Sequence, residues 1–264
     1  MDHPFQFRPG TCDEEIFRAV VVGNEYRLPE SFAINDIILD VGTHIGSFSY
    51  ACVSRGSCKV HTFETCRENH GCAVRNLATL GTRVKVHHCA VWRSDRKNET
   101  LLFDEFRHNN NASGNVLGTG GTPVKAVGLD RIIRHVTERG RFRVRLMKLD
   151  CEGSEYPILF TSRMLHLVDA IVGEFHNITD EHRTTHPFHH IPENARVAGY
   201  DTFNGDVLAE KLRSEGFSVQ LERHPTIPRL AGWFFAERPS RALVPVSTLT
   251  RLKRKAKRML VGSR

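Results

Sequence analysis

Two short runs in the second half of the chain hold residues suited to moving a proton. One is Leu146-Met-Lys-Leu-Asp-Cys-Glu-Gly-Ser-Glu155, with Asp150, Glu152 and Glu155. The other is Ala170-Ile-Val-Gly-Glu-Phe-His176, with Glu174 and His176. Carboxylates crowded this closely repel one another, which raises at least one pKa and makes a serviceable base. Glu174 and His176 are two residues apart at a strand end, so both side chains face the same side. An imidazole titrates near neutrality. Such a set fits the activation of a weak nucleophile, such as a hydroxyl that must lose its proton before it reacts. His176 is the first choice for the base, with Glu152 and Asp150 beside it. Asp150 has the alternative of holding a cofactor's end or orienting the acceptor. Glu152-Gly153 has the alternative of a turn with an acid at a helix N-terminus.

A second constellation lies upstream, in Ile37-Ile-Leu-Asp-Val-Gly-Thr-His-Ile-Gly-Ser-Phe-Ser49. The apolar run suits a strand buried on both faces. Gly42 and Gly46 bracket a tight loop where a side chain would block a ligand's approach to the backbone. Ile45, Phe48, Ser49 and Cys52 then follow helical spacing. A strand–loop–helix corner of this kind is where nucleotide-like ligands bind in open α/β sheets. Glu64 ends the next short strand, 24 residues after Asp40. A carboxylate there can accept both hydroxyls of a ribose. The glycine patterns of dinucleotide and phosphate-binding loops are absent. That favours S-adenosylmethionine, which has no phosphate to cradle. The expected cofactor set is Asp40, Gly42, Thr43, His44, Gly46 and Glu64, with Ala90 at the end of the third strand.

These segments resemble the FkbM family of S-adenosylmethionine-dependent methyltransferases. The likeness rests on Asp40-Val-Gly-Thr-His-Ile-Gly46; on Phe63-Glu64 with Glu68-Asn69 and Arg75-Asn-Leu77; on the run from Leu146 to Glu155; and on Val172-Gly-Glu-Phe-His176, with Val127-Gly-Leu-Asp130 also fitting. The match in order and spacing covers roughly residues 13 to 176. His44 stands where the family more often has Asn, and Cys151 where Val is usual. The resemblance implies a Rossmann-like methyltransferase fold and an oxygen nucleophile on a sugar, glycan or natural product. It does not identify the acceptor. Two other readings remain open: a nucleic-acid methyltransferase guided by a basic tail, and a non-catalytic, membrane-associated cofactor-binding module. Against the first, Asp150-Cys-Glu-Gly stands where base-amine methylation needs an Asn/Asp-Pro-Pro-aromatic turn. Against the second, the acids of the site are intact.

The elements that must position these residues alternate as strand and helix. Strands are expected at 37–41, 59–64, 83–90, 144–149 and 170–174, with helices to about Arg55, over 67–79, 128–138 and Ser154–Leu165, and at 206–215. Residues 217–222 and 232–236 read as a final strand pair joined without a helix. The predicted fold is therefore α/β: a mostly parallel, seven-stranded sheet with one antiparallel strand and helices on both faces. Residues 100–127 form an insertion of two strands around a glycine- and asparagine-rich loop. Residues 1–30 are expected to lie across the cofactor site, 31–240 to form the domain, and 241–264 to be a basic tail.

At 264 residues and 40% apolar composition, one such domain has a real core. No apolar run is long enough to span a bilayer, and the N-terminus shows no signal segment. Seven cysteines without a C-x-x-C pair then read as reduced, mostly buried thiols, and the expected location is cytoplasmic. The net charge of +7 is carried by Arg251, Lys253, Arg254, Lys255, Lys257, Arg258 and Arg264, which leaves the remaining 250 residues neutral. A neutral body argues against a broad nucleic-acid face. The tail, with Leu249, Leu252, Ala256 and Met259 on one stripe, suits weak contact with anionic membrane at its inner face. His182, His186, His189 and His190 lie near His176, but Pro187 and Pro192 interrupt any helix. No metal is expected.

Overall fold

A computed structural model of the protein describes residues 5–97, 99–104, 114–117, 120–178 and 191–239. In chain order the strands are β1 Ile37–Val41, β2 Lys59–Glu64, β3 Val84–His88, β4 Ala90–Trp92, β5 Thr100–Phe103, β6 Thr122–Gly128, β7 Val144–Leu149, β8 Ala170–His176, β9 Ser218–Arg223 and β10 Ala231–Glu237. The main sheet has seven of them in the order β3-β2-β1-β7-β8-β10-β9. β1 pairs in parallel with β2 and β7, and β7 with β8, while β10 runs antiparallel to both β8 and β9. The sheet is thus mostly parallel with one reversed strand, as the helix-free link between the last two strands requires.

The helices are α1 Asp13–Phe17, α2 Ser47–Ser54, α3 Arg67–Leu77, α4 Leu129–Val136, α5 Glu155–Thr161 and α6 Gly205–Ser214. Neighbouring strand residues feed opposite cores. Leu39, Met147, Ile171 and Phe234 pack with α4, α5 and α6, whereas Ile38, Leu146, Val172 and Phe235 pack with α2 and α3. Period-two burial on both faces is what holds an all-apolar strand in the middle of a parallel sheet. Each fully buried side chain of this size contributes roughly 1.5–3 kcal/mol.

Two elements differ from the sequence reading. The expected strand 83–90 is broken. Cys89 donates its N–H to the Glu64 carbonyl, and Ala90 then leaves for a second, three-stranded sheet ordered β4-β6-β5. The helix expected to reach Leu165 stops at Thr161. The Ser162 hydroxyl donates to Asp130 at 2.6 Å, and the Arg163 N–H binds the same carboxylate, which draws the chain out of the helix. Near the N-terminus, α1 widens into one π turn over Arg18–Val22. All seven cysteines are free thiols, and Cys52, Cys58, Cys66, Cys72 and Cys89 are buried. Among the described residues, no helix is long and apolar enough to cross a membrane. The tail after residue 239 and the histidines at 182–190 lie outside the described residues.

Candidate active site

A cavity of about 800 Å³ opens over the carboxyl ends of β1, β2, β7 and β8. Gly42, Thr43, His44, Glu64 and Ala90 all line it, so five of the seven residues expected to hold a cofactor share one wall. Asp40 and Gly46 do not line it. Asp40 is fully buried behind the loop, where one carboxylate oxygen accepts from Thr43 at 2.6 Å, Ser49 at 2.7 Å and Thr62 at 3.3 Å. It shapes the corner from within. The glycines also act through protein packing. A Cβ on Gly42, at φ +78°, would lie 1.8 Å from the Asp150 carbonyl oxygen, and one on Gly46 would lie 2.9 Å from Leu77. The tight spots expected to admit a ligand instead admit the end of β7 and helix α3.

Glu64 faces the cavity and accepts the His44 N–H at 2.7 Å on one oxygen and the Cys66 N–H at 2.8 Å on the other. Each oxygen keeps a second acceptor site, so the residue fits a ribose diol. Burial pushes its pKa up to about 7, against the pull of those two N–H groups. Glu64, the Thr43–His44 backbone and Ala90 are the residues that would hold S-adenosylmethionine.

Asp150, Glu152 and His176, all proposed from sequence for the chemistry, line the same cavity with Glu174. His176 Nε2 is 3.3 Å from Glu152 and 4.0 Å from Glu174, and its Nδ1 is 3.9 Å from Glu155. Burial opposes the imidazolium. Glu152, Glu155 and Glu174 outweigh it and hold the pKa well above 6.5. The ring therefore carries a proton at neutrality. Burial raises Glu152 to about 7 and Glu174 to about 8. Asp150 goes the other way: burial is outweighed by Lys148, His176 and the Tyr26 hydroxyl, which keep it below the usual carboxylate range. Among the described residues, no three His, Cys, Asp or Glu side chains converge as metal ligands.

Two participants escape sequence reasoning. Lys148, 4% exposed, donates to the Gly42 carbonyl and lies 3.6 Å from Asp40 and 3.4 Å from Asp150. It couples the loop after β1 to the acid at the end of β7. Its only signal was a lysine inside an otherwise buried strand. Tyr26 donates its hydroxyl to Asp150 at 3.0 Å across 124 residues of chain. Its ring packs edge-on against Phe48 at 5.5 Å. No local pattern marks such a partner. The segment carrying it also grips the loop: Arg8 forks onto Asp13 at 2.8 and 2.9 Å and donates to His44 Nε2 at 3.1 Å. Burial lowers the His44 pKa to about 4, so its ring is neutral and accepts.

A model of the methyltransferase FkbM domain matches residues 40–217. No curated protein matches the chain. Among solved structures, it is similar to the precorrin-6y C5,15-methyltransferase of Geobacter metallireducens GS-15, at 12% identity over 90% of this chain and 95% of that one, TM-score 0.44. It is similar to an rRNA methylase of Streptococcus thermophilus, at 10% identity over 89% and 99%, TM-score 0.41. A SAM dependent methyltransferase of Aquifex aeolicus gives 14% identity over 88% and 100%, TM-score 0.39. Likenesses this shallow say nothing of the acceptor.

Proposed function

We propose that this protein, which belongs to the FkbM methyltransferase family and uses S-adenosylmethionine, methylates a hydroxyl of a sugar, glycan or natural-product-like small molecule. The observation behind this reading is that the cofactor wall and the acid–imidazole group share one cavity. When bound, the cofactor supplies an electrophilic methyl carbon with a thioether leaving group. The chain must then align the acceptor and take its proton. Alignment alone can contribute about 7–11 kcal/mol.

Glu152 is the better base. Its pKa of about 7 leaves a large carboxylate fraction at neutrality, and a carboxylate this basic still accepts a proton. His176, charged and 3.3 Å away, steadies the carboxylate and fixes its orientation. Asp150 stays ionised between Lys148 and Tyr26 and serves to orient the acceptor hydroxyl. Glu152 sits at φ +54°, a left-handed conformation that a non-glycine residue adopts at some cost, and such strain gathers at functional sites.

The test is transfer of labelled methyl from the cofactor to methyl glycosides, alicyclic alcohols and bulk RNA. Label should enter a hydroxyl of a glycoside or alcohol. Glu152→Gln should lower turnover on the order of 10²–10⁴ with cofactor affinity retained. Label entering RNA alone, or full turnover by Glu152→Gln, would overturn the assignment.

A further inference from the structure

The residues proposed for cofactor and chemistry lie within the matched domain, but part of the cavity lining does not. Glu25 and Tyr26 come from before residue 40, and His224, Ile227 and Trp233 from after residue 217. Among the described residues, the Glu25 carboxyl makes no hydrogen bond or ion pair, while its backbone N–H donates to the Ala19 carbonyl at 3.3 Å. Burial and the nearby Asp150 lift its carboxyl to about 7 against the pull of Lys148, so this half-buried group is partly protonated at neutrality. The Trp233 ring is stacked on His224 at 5.2 Å and 25°, which fixes an aromatic surface in the lining of the same cavity.

Acidic groups outnumber basic ones in the cavity lining. Glu15, Glu25, Glu64, Asp150, Glu152 and Glu174 line it with two cations, Lys148 and His176. Burial holds Glu25, Glu64 and Glu152 at about 7 and Glu174 at about 8, so these carboxyls keep protons that a bound cation would displace. A further polar group awaits a ligand as well. Ser154 lines the same cavity at 2% exposure, and its hydroxyl has no hydrogen-bond partner among the described residues.

We propose that the acceptor carries a positive charge beside its hydroxyl, as an amino sugar or amino alcohol does, and that Glu25 and Trp233 select it. Glu25 pairs with the cation, and Trp233 offers it a ring face. The inference rests on the methyltransferase reading above and narrows its acceptor. Because both residues lie outside the matched domain, acceptor choice is a property of the flanking segments, and the domain alone does not encode it.

Choline and 3,3-dimethylbutan-1-ol test this cleanly: they share a shape and a hydroxyl and differ in charge. Both are titrated by calorimetry into full-length protein saturated with sinefungin, an unreactive cofactor analogue that keeps a cation near the reacting centre. Choline should bind at least about tenfold more tightly. Glu25→Gln and Trp233→Leu should each remove most of that preference, with circular dichroism reporting that the variant is folded. Trp233 belongs to β10, so Glu25→Gln decides if Trp233→Leu does not fold. Equal affinities, tighter binding of the neutral alcohol, no heat from either, or an undiminished preference in Glu25→Gln would overturn the proposal. Failure of the wild type to bind sinefungin would instead overturn the methyltransferase reading beneath it.

Discussion

Glu64 has two tasks, and a substitution there separates them from neutral packing. It accepts two backbone N–H groups that set the loop after β1, and it faces the cavity where a ribose would lie. Glu64→Ala should weaken S-adenosylmethionine binding by roughly 1.5–3 kcal/mol per charged hydrogen bond lost. Unchanged affinity by calorimetry in a folded variant would place the ribose elsewhere. The cavity's acids also make stability depend on pH. Glu25, Glu64 and Glu152 are raised from 4.5 to about 7, and Glu174 to about 8. A carboxyl with a raised folded pKa binds its proton more tightly in the folded chain. Its stabilising contribution is therefore complete below about 4.5 and lost as pH rises through about 7 to 8. His176, also raised, acts in the same direction. Asp150 is lowered and acts oppositely, but its loss falls below 3.8, outside this window. The thermal midpoint of the free protein should fall across the window, and the cationic cofactor should lessen the fall. A midpoint that climbs steadily over the same range would contradict these assignments.

At the scale of elements, legibility followed locality. The β1–loop–α2 corner was readable because strand, glycines and helix are contiguous and each obeys its own period. The break at Cys89 was not, because one hydrogen bond to the distant Glu64 carbonyl ends the ladder within a run that alternates well. The early end of α5 depends on Asp130, 32 residues away from Ser162. Lys148 and Tyr26 were missed for the same reason: their roles exist only once β7, the loop after β1 and the N-terminal segment meet. Gly42 marks that meeting point. Gly42→Ala should destabilise the fold by about 2–4 kcal/mol, from a left-handed φ and overlap with the Asp150 carbonyl. Gly71→Ala offers the contrast. It lies inside α3 with only the end of Arg75 near, at 3.6 Å, and should be neutral or stabilising by up to about 1 kcal/mol. Denaturant unfolding of the pair checks both, and similar midpoints for the two variants would refute the packing role of Gly42.

For the whole molecule, the informative asymmetry is charge. The first 250 residues are formally neutral, and the excess of +7 sits in residues 251–264. A neutral catalytic body with an acidic cavity gains nothing from long-range attraction to a polyanion, whereas a short basic tail does so independently of the body. We therefore expect residues 249–264 to hold the protein weakly at anionic membrane. Each basic residue near such a surface contributes about 1 kcal/mol, and the attraction fades as salt shortens the screening length. Truncation after Pro245 removes the tail and keeps every described residue that lines the cavity, so methyl transfer to a soluble acceptor should survive it. Sedimentation with phosphatidylserine-containing vesicles decides the matter. Full-length protein should pellet at low salt and be released at high salt, while the truncated form stays in the supernatant throughout. Equal and negligible pelleting of both forms at low salt would remove the membrane from the account and leave the tail without a lipid partner.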